Sequence, residues 1–451
     1  MEPREHITHE EFSFRKYAWR QFKKNKIALF SLYILGFLVF VAVFADLIAT
    51  DQPLYARYRG KTFFPAFQVL VNPTHTDSVW NESTGTWEKI QFDIAPWKQM
   101  KLESAVWAPI AYSPDKSDRY NRDFVGPFDE QVYKNPDGEI VPVPWYFRHY
   151  LGTNQIGQDV AAGLVHGTRI SLSVGLVAVG IAAIIGIILG ALAGFFGDSG
   201  LKSRRGQFWG AVLGLFFGFF YGFMVRGYAI LDGINAGMLQ GLWQVFLSLL
   251  LFAVILLAFT WLGKHLLGRL PWFRNPTTVP VDSVISRLIE IMNSMPRLLL
   301  ILTIASLFKD KSIFLIMAIL GLTSWTGIAR FTRAELLRTR SLEYIQAARA
   351  LGYNKRRIIF GHALPNSLAP VFISISFGIA AAILAESSLS FLGIGVPDDV
   401  VTWGSLLSAG RTHYDAWWMV VFPGFAIFLT VTIYTIIGEA LRDALDPRLK
   451  Q

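Results

Sequence analysis

The chain has 451 residues, of which 53% are hydrophobic and only 17% charged, and its mean hydropathy is +0.39. Soluble domains carry roughly 25% charged residues, so this is the composition of an integral membrane protein. The net charge of +9 is gathered in a few loops and at the N-terminus, which argues against nucleic acid, and the lack of cysteine excludes disulfides, thiol catalysis and cysteine metal sites.

Residues 1–26 are polar and basic, with Arg15, Lys16, Arg20, Lys23, Lys24 and Lys26. Residues 27–49 are apolar apart from Asp46 and reach the ~20 residues that a span needs. No small-residue cleavage site follows, so the segment reads as an uncleaved anchor. Its basic flank puts the N-terminus in the cytoplasm. Residues 50–150 change character, being rich in Pro, Trp, Tyr and charges of both signs. They predict an external insert of short strands and loops, with Trp80, Trp87, Trp97, Trp107 and Trp145 supplying a core. The sequon Asn81-Glu82-Ser83 carries no weight here.

Residues 151–448 form the membrane core. Its first span, Ser171 to Phe196, carries Gly186, Gly190 and Gly194 every fourth residue, a stripe that lets another helix approach closely. Lys202, Arg204 and Arg205 mark a cytoplasmic turn. Two further apolar segments lie within 198–280. Phe208 to Val225 contains Gly210, Gly214, Gly218 and Gly222, whereas Leu242 to Leu262 has no glycine. Trp243 and Trp261 sit about 27 Å apart on the latter, matching interfacial belts. The two glycine stripes predict antiparallel packing of Gly190 against Gly214 and Gly218, with 242–262 on the lipid side. Val284 to Phe308 begins amphipathic and is broken by Pro296. Spans 313–328, 367–392 and 417–440 complete about eight, with Glu439 and Arg442 spaced to pair. The basic clusters then all fall inside, and both termini with them.

Between two of these spans lies the polar loop 341–366, SLEYIQAARALGYNKRRIIFGHALPN. It reads as two short helices. Ser341 is placed to cap the first, with Glu343 in its first turn. Gly352 is placed to end it in a left-handed cap. Asn354 is placed to cap a second helix, Lys355 to Leu364, ended by Pro365. Ala347 and Ala348 are expected to present a low-relief surface to a partner.

This loop resembles the coupling loop of bacterial ABC import permeases, which reads E-A-A, three residues, G, nine residues, I-x-L-P. Gln346, Ala347 and Ala348, then Gly352, then His362 to Pro365 match that spacing, with Gln346 standing for Glu and His362 for Ile. Tyr150 to Thr153, Gly157 to Asp159 and Gly167 to Ser171 resemble the lead into the second span of dipeptide and oligopeptide permeases. The resemblance covers 16–50, 145–197 and 281–448. It implies an all-α polytopic permease of the ABC importer type I kind, with six family spans plus the inserted pair. Within the family the chain looks like the second, C-type permease of dipeptide, oligopeptide and nickel systems, nearest the microcin C and oligopeptide subgroup. The family implies a bacterial inner-membrane subunit that pairs with a second permease, two cytoplasmic ATP-binding subunits and an external substrate-binding protein. ATP and Mg would then be bound by the partner ATPases, with no cofactor or metal and no catalysis on this chain. The coupling residues it implies are Gln346, Ala347, Ala348, Gly352, His362 and Pro365.

Glu386 stands in an apolar span, and an intramembrane carboxylate is by default a functional hypothesis. It opens an alternative, a proton-coupled secondary transporter. The plainer reading is a helix-end carboxylate held by Ser387, Ser388 or backbone. No histidine and carboxylate cluster has metal-ligand spacing. His149, His166, His362 and His413 fall in separate loops, which places no catalytic triad.

Overall fold

The fold is given by a computed structural model. It describes residues 14–81, 85–306, 308, 312–397 and 400–445. His6, His9, Glu82, Ser83, Arg448 and Lys450 lie outside the described residues.

Among the described residues, seven helices are long and apolar enough to cross a membrane: Lys26–Val43, Val160–Phe196, Arg205–Met224, Leu239–Arg269, Ile313–Thr339, Ala369–Phe391 and Trp418–Leu445. The pair Val281–Ser294 and Arg297–Ser306 makes an eighth, broken span. Pro296 causes the break. Its ring disfavours a helical residue before it, and Met295 is extended at ψ 134. The protein is thus mostly helical and polytopic, with small sheets added in the loops.

The chain forms two compact units. The first comprises Met1–Ile184, Pro296–Ile328 and Ala369–Gln451. Here the anchor helix opens on Asn25, whose Oδ1 accepts from the Ala28 N–H at 3.1 Å. It packs through Ala28 on Ile433, Ile437 and Ala440 of the last span. The expected interruption at Asp46 has a partner. Arg169 donates to Asp46 Oδ2 at 2.8 Å and to the Ala42 carbonyl at 2.7 Å, satisfying an oxygen that the helix end leaves free. Glu439 and Arg442, spaced to pair, form no ion pair among the described residues.

The insert belongs to this unit. Tyr55–Tyr58 is the middle strand of an antiparallel sheet between Lys61–Phe63 and Ser104–Val106, and two separate two-stranded ribbons follow. Its core is Phe63, Phe92 and Trp97, with ring centroids 5.4–6.4 Å apart. The Trp97 indole N–H donates to the Phe92 carbonyl at 2.9 Å. The expected aromatic core is therefore narrower than composition suggested. Trp80 and Trp87 face each other on an open two-stranded ribbon and stay exposed, as does Trp145. A lone ribbon has no second layer to cover that face.

The second unit comprises Ile185–Met295 and Ala329–Leu368. It corrects the predicted helix pairing. Gly190 and Gly194 do not meet Gly214 and Gly218; they meet helix Ile313–Thr339. A Cβ on Gly190 would lie 2.7 Å from Thr332 Cβ, and one on Gly194 2.8 Å from Leu336 Cβ. The stripe through Gly214 and Gly218 faces helix Met238–His265 instead, along its stretch 242–262 that lacks glycine, with Leu256, Phe259 and Phe252 at 3.0 Å. The inserted helices thus form a hairpin with each other. A small-residue stripe specifies close approach but not the partner, and the short connection through Gly227–Ala236 brings its sequence neighbour alongside first. An antiparallel ribbon, Lys202–Arg204 with Pro276–Thr278, closes the base of the hairpin.

Candidate coupling site

The loop 341–366 folds as two helical pieces. The first is Glu343–Ala350. Ser341 does not cap it. Leu342 holds the cap position without a side-chain bond, and the Ser341 hydroxyl donates to the Arg338 carbonyl at 2.7 Å, closing the preceding helix. Gly352 adopts φ +78 as expected. The Gly352 N–H donates to the Arg349 carbonyl at 3.0 Å and the Tyr353 N–H to the Ala348 carbonyl at 3.1 Å. This is the paired-bond cap that a left-handed residue permits. Asn354 caps the second piece, accepting from the Arg357 N–H at 2.8 Å.

Pro365 does not end that second piece. The helix runs on to Ser367 through a widened turn over Ile359–Ala363. Proline removes an N–H and crowds the carbonyl four residues back, and a widened turn just before it relieves both.

Ala347 and Ala348 part company. Ile345, Ala348, Ile358 and Ala363 are buried against Phe195 and Leu336, the ends of two spans. Ala347 and Gln346 face outward with Tyr344, Leu351 and Phe360, and Leu351 is 73% exposed. Three of every seven residues turn inward on an amphipathic helix, and adjacent alanines fall on opposite sides of that boundary. The Gln346 amide donates to the Ser341 carbonyl at 3.0 Å, a bond a glutamate could not give. His362 is half-buried, 6.1 Å from the Tyr353 ring and nearly parallel to it. Lys355 donates to the Gly200 carbonyl at 3.0 Å, and Thr339 bonds Ser367 at 3.0 Å. The inner face of the loop is therefore fixed to helices Val160–Phe196 and Ile313–Thr339, and the outer face is exposed.

The same unit holds an open cleft of ≈ 460 Å³ lined by Ser286, Ile289, Glu290, Asn293, Ser294, Arg330 and Arg333. Ser286, Glu290 and Asn293 recur at helical spacing, so one face of Val281–Ser294 is hydrophilic within an otherwise apolar span. Arg333 pairs with Asp282 and Glu290 with Arg287, while Arg330 makes no ion pair among the described residues.

Glu386 is fully buried. It accepts from the Ser390 hydroxyl at 2.7 Å and from Ser387 at 3.4 Å. The helix-end serines expected to hold it include Ser387 but not Ser388, which bonds the Leu384 carbonyl instead.

One cluster was not legible beforehand. His149 is buried, its Nδ1 2.7 Å from Asp159 Oδ2 and its Nε2 3.2 Å from Asp118 Oδ2. Both partners are carboxylates, so both ring nitrogens donate and the ring is an imidazolium. Burial works against that charge, but the bonds to Asp118 and Asp159 outweigh it and raise the His149 pKa. The ring stacks on Tyr112 at 3.8 Å, and Lys98 Nζ lies 3.2 Å from the centroid of that tyrosine ring. Burial pushes Lys98 down to about 7. Asp159 also caps the span, accepting from the Ala162 N–H at 2.6 Å. The span was expected from Ser171, so this cap at its true start was not anticipated, and neither was Asp118, 31 residues before His149.

Apolar spans with a loop locked onto two of them define a polytopic membrane protein. Comparison with known proteins narrows the class. Residues 278–451 match the model of the binding-protein-dependent transport system inner membrane component family, and residues 13–65 that of the N-terminal TM domain of oligopeptide transport permease C. The chain is 27% identical to the inner membrane ABC transporter permease protein YejE of Escherichia coli (strain K12), over 95% of this chain and 96% of the relative. It is 26% identical to the peptidoglycan transport system permease protein YejE of Agrobacterium fabrum, over 96% and 93%. It is 30% identical to the dipeptide transport system permease protein DppC of Alkalihalophilus pseudofirmus, over 67% and 73%. The chain belongs to the binding-protein-dependent transport system inner membrane component family. It is a multi-pass permease subunit of the peptide ABC importer type, C-type within that family. The relatives support this ATP-driven reading and not the proton-coupled alternative.

Proposed function

We propose that the chain forms half of a translocation path for peptides or peptide-bearing solutes, and that the loop 341–366 couples it to a cytoplasmic ATPase. The carrying observation is the two-sided loop. Its inner face is packed on Phe195 and Leu336, and its outer face offers Ala347, Leu351 and Gly352. A push on the outer face is transmitted to two spans through packed side chains, because rigid contiguous elements carry such coupling. Gln346 and His362 support the loop, and Pro365 shapes its exit into the next span. The cleft beside Glu290 and Arg330 contributes polar wall to the path.

In this reading the partners are a second permease subunit, two ATP-binding subunits and an external substrate-binding protein. ATP and Mg belong to the ATPases, and this chain performs no catalysis and needs no cofactor of its own. Both termini and the loop 341–366 are cytoplasmic, and the insert 50–150 is external, near the mouth of the path.

Single cysteines test the reading, since the chain has none of its own. Ala347→Cys and Leu351→Cys in the assembled importer should crosslink to an ATP-hydrolysing chain, whereas the buried Ala348→Cys should not. Crosslinking through position 348 alone, or to no ATPase at all, would overturn it.

A further inference from the structure

The inserted hairpin lies outside the two family-model matches, residues 13–65 and 278–451, and its charge is one-sided. Its base carries Lys202, Arg204, Arg205, Lys264, Arg269 and Arg274, and no acidic residue occurs between Asp198 and Asp282 except Asp232 at the other end. The two flanking acids are engaged, Asp198 with Ser283 and Asp282 with Arg333. None of the six cations forms an ion pair among the described residues, and all but Arg205 are exposed.

The cations sit at a defined depth. The apolar stretch Arg205–Met224 has 20 residues, about 30 Å at 1.5 Å per residue, which matches the hydrocarbon thickness. The base ribbon then lies at headgroup level. Its apolar residues agree: Leu266, Leu270 and Trp272 are each more than half exposed, beside Arg269 and Arg274. Arg205 stacks over the Trp272 ring at 4.9 Å, and Arg274 donates to the Gly268 carbonyl at 3.0 Å, which fixes these two side chains. Among the described residues Lys202, Arg204 and Arg269 have no such bonds, and all three are exposed. A compact run of cations with an interfacial tryptophan and exposed leucines recognises a phosphate that carries acyl chains, not a free phosphate.

The geometry points to an anionic phospholipid site at the base of the inserted hairpin, with Lys202, Arg204 and Arg269 on the headgroup and Leu266, Leu270 and Trp272 along its chains. The hairpin thereby ties the permease to the anionic leaflet. This inference stands whether or not the loop 341–366 meets an ATPase.

The test uses the importer purified through this chain in mild detergent and equilibrated with equal phosphatidylglycerol and phosphatidylethanolamine. Retained lipid is measured by mass spectrometry. The wild type should retain phosphatidylglycerol selectively. The triple variant Lys202→Gln, Arg204→Gln, Arg269→Gln removes only side chains without internal bonds, so the fold is kept. At about fivefold per cation near an anionic surface, its retention should fall tenfold or more. A control triple in the insert, Lys89→Gln, Lys101→Gln, Lys134→Gln, changes the charge equally and should retain lipid as the wild type does. Replacing Arg204 and Arg269 by lysine should preserve retention. Equal retention by wild type and the hairpin triple would overturn the proposal. So would equal loss in the insert control, or a cysteine at Leu270 that crosslinks to another subunit in place of lipid.

Discussion

Gly352 offers the sharpest test of the coupling loop. Its φ of +78 is the left-handed region, and a Cβ placed there meets nothing within 4 Å. Substitution therefore costs backbone strain alone, with no steric clash to confuse it. A left-handed residue bearing a side chain costs about 1–2 kcal/mol, a factor of about 5–30 between capped and uncapped loop. The cost falls on a helix of eight residues whose end rests on two bonds, from Gly352 to Arg349 and from Tyr353 to Ala348. So short a helix has little stability of its own. Asparagine tolerates this conformation, alanine less, and a β-branched residue least. Uptake should follow Gly, Asn, Ala, Val in descending order, with Gly352→Val below about a fifth of the wild type at equal membrane abundance. The assay is uptake of labelled peptide alongside ATPase rate in proteoliposomes, where Val should leave ATP turnover but lose its link to transport. Normal uptake by Gly352→Val would refute the cap argument. Asn as defective as Val would show that the site needs contact space and not its φ.

Other outcomes follow from the same geometry. Gly214→Leu should disrupt the hairpin, because its side chain meets the Leu256 backbone at 3.0 Å, whereas the half-exposed Leu250→Ala should be tolerated; abundance after detergent extraction measures both. Cysteines at Gly214 and Leu256 should crosslink, and cysteines at Gly190 and Gly214 should not. Glu386→Gln should keep uptake, since one amide oxygen still accepts from Ser390, while a normally assembled Glu386→Gln that loses uptake would reinstate a proton role. His149 should stabilise the insert in a pH-dependent way. Its pKa is raised, so its contribution is complete below about 6.5 and is lost as pH rises through its folded value. Lys98, lowered to about 7, acts in the opposite sense, its burial cost lifting as pH rises from 7 toward 10.5. The difference between wild type and His149→Gln isolates the histidine. By protease resistance of the insert, that difference should shrink from pH 6 to pH 9, and a constant difference would rule out a charged ring.

Sequence alone determined what depends on neighbours along the chain. Span length follows from continuous apolar residues, because lipid leaves backbone groups no partner but the helix itself. The break at Pro296, the cap at Asn354 and the left-handed turn at Gly352 are local stereochemistry, so they were legible from residue type and position. The division of the loop 341–366 into two helical pieces was legible for the same reason, since Gly352 and Asn354 fix where one helix stops and the next begins. Tertiary structure decided everything that needed a partner to be named. Gly190 and Gly214 each announce a close neighbour, but only packing assigned them to helix Ile313–Thr339 and to helix Met238–His265. Ala347 and Ala348 are chemically identical, and only the seat on Phe195 and Leu336 turned one inward and left the other exposed. His149 gave no signal because its charge depends on Asp118, brought from 31 residues away. Local pattern fixes backbone shape, whereas burial and charge pairing are sums over residues that only the fold brings together.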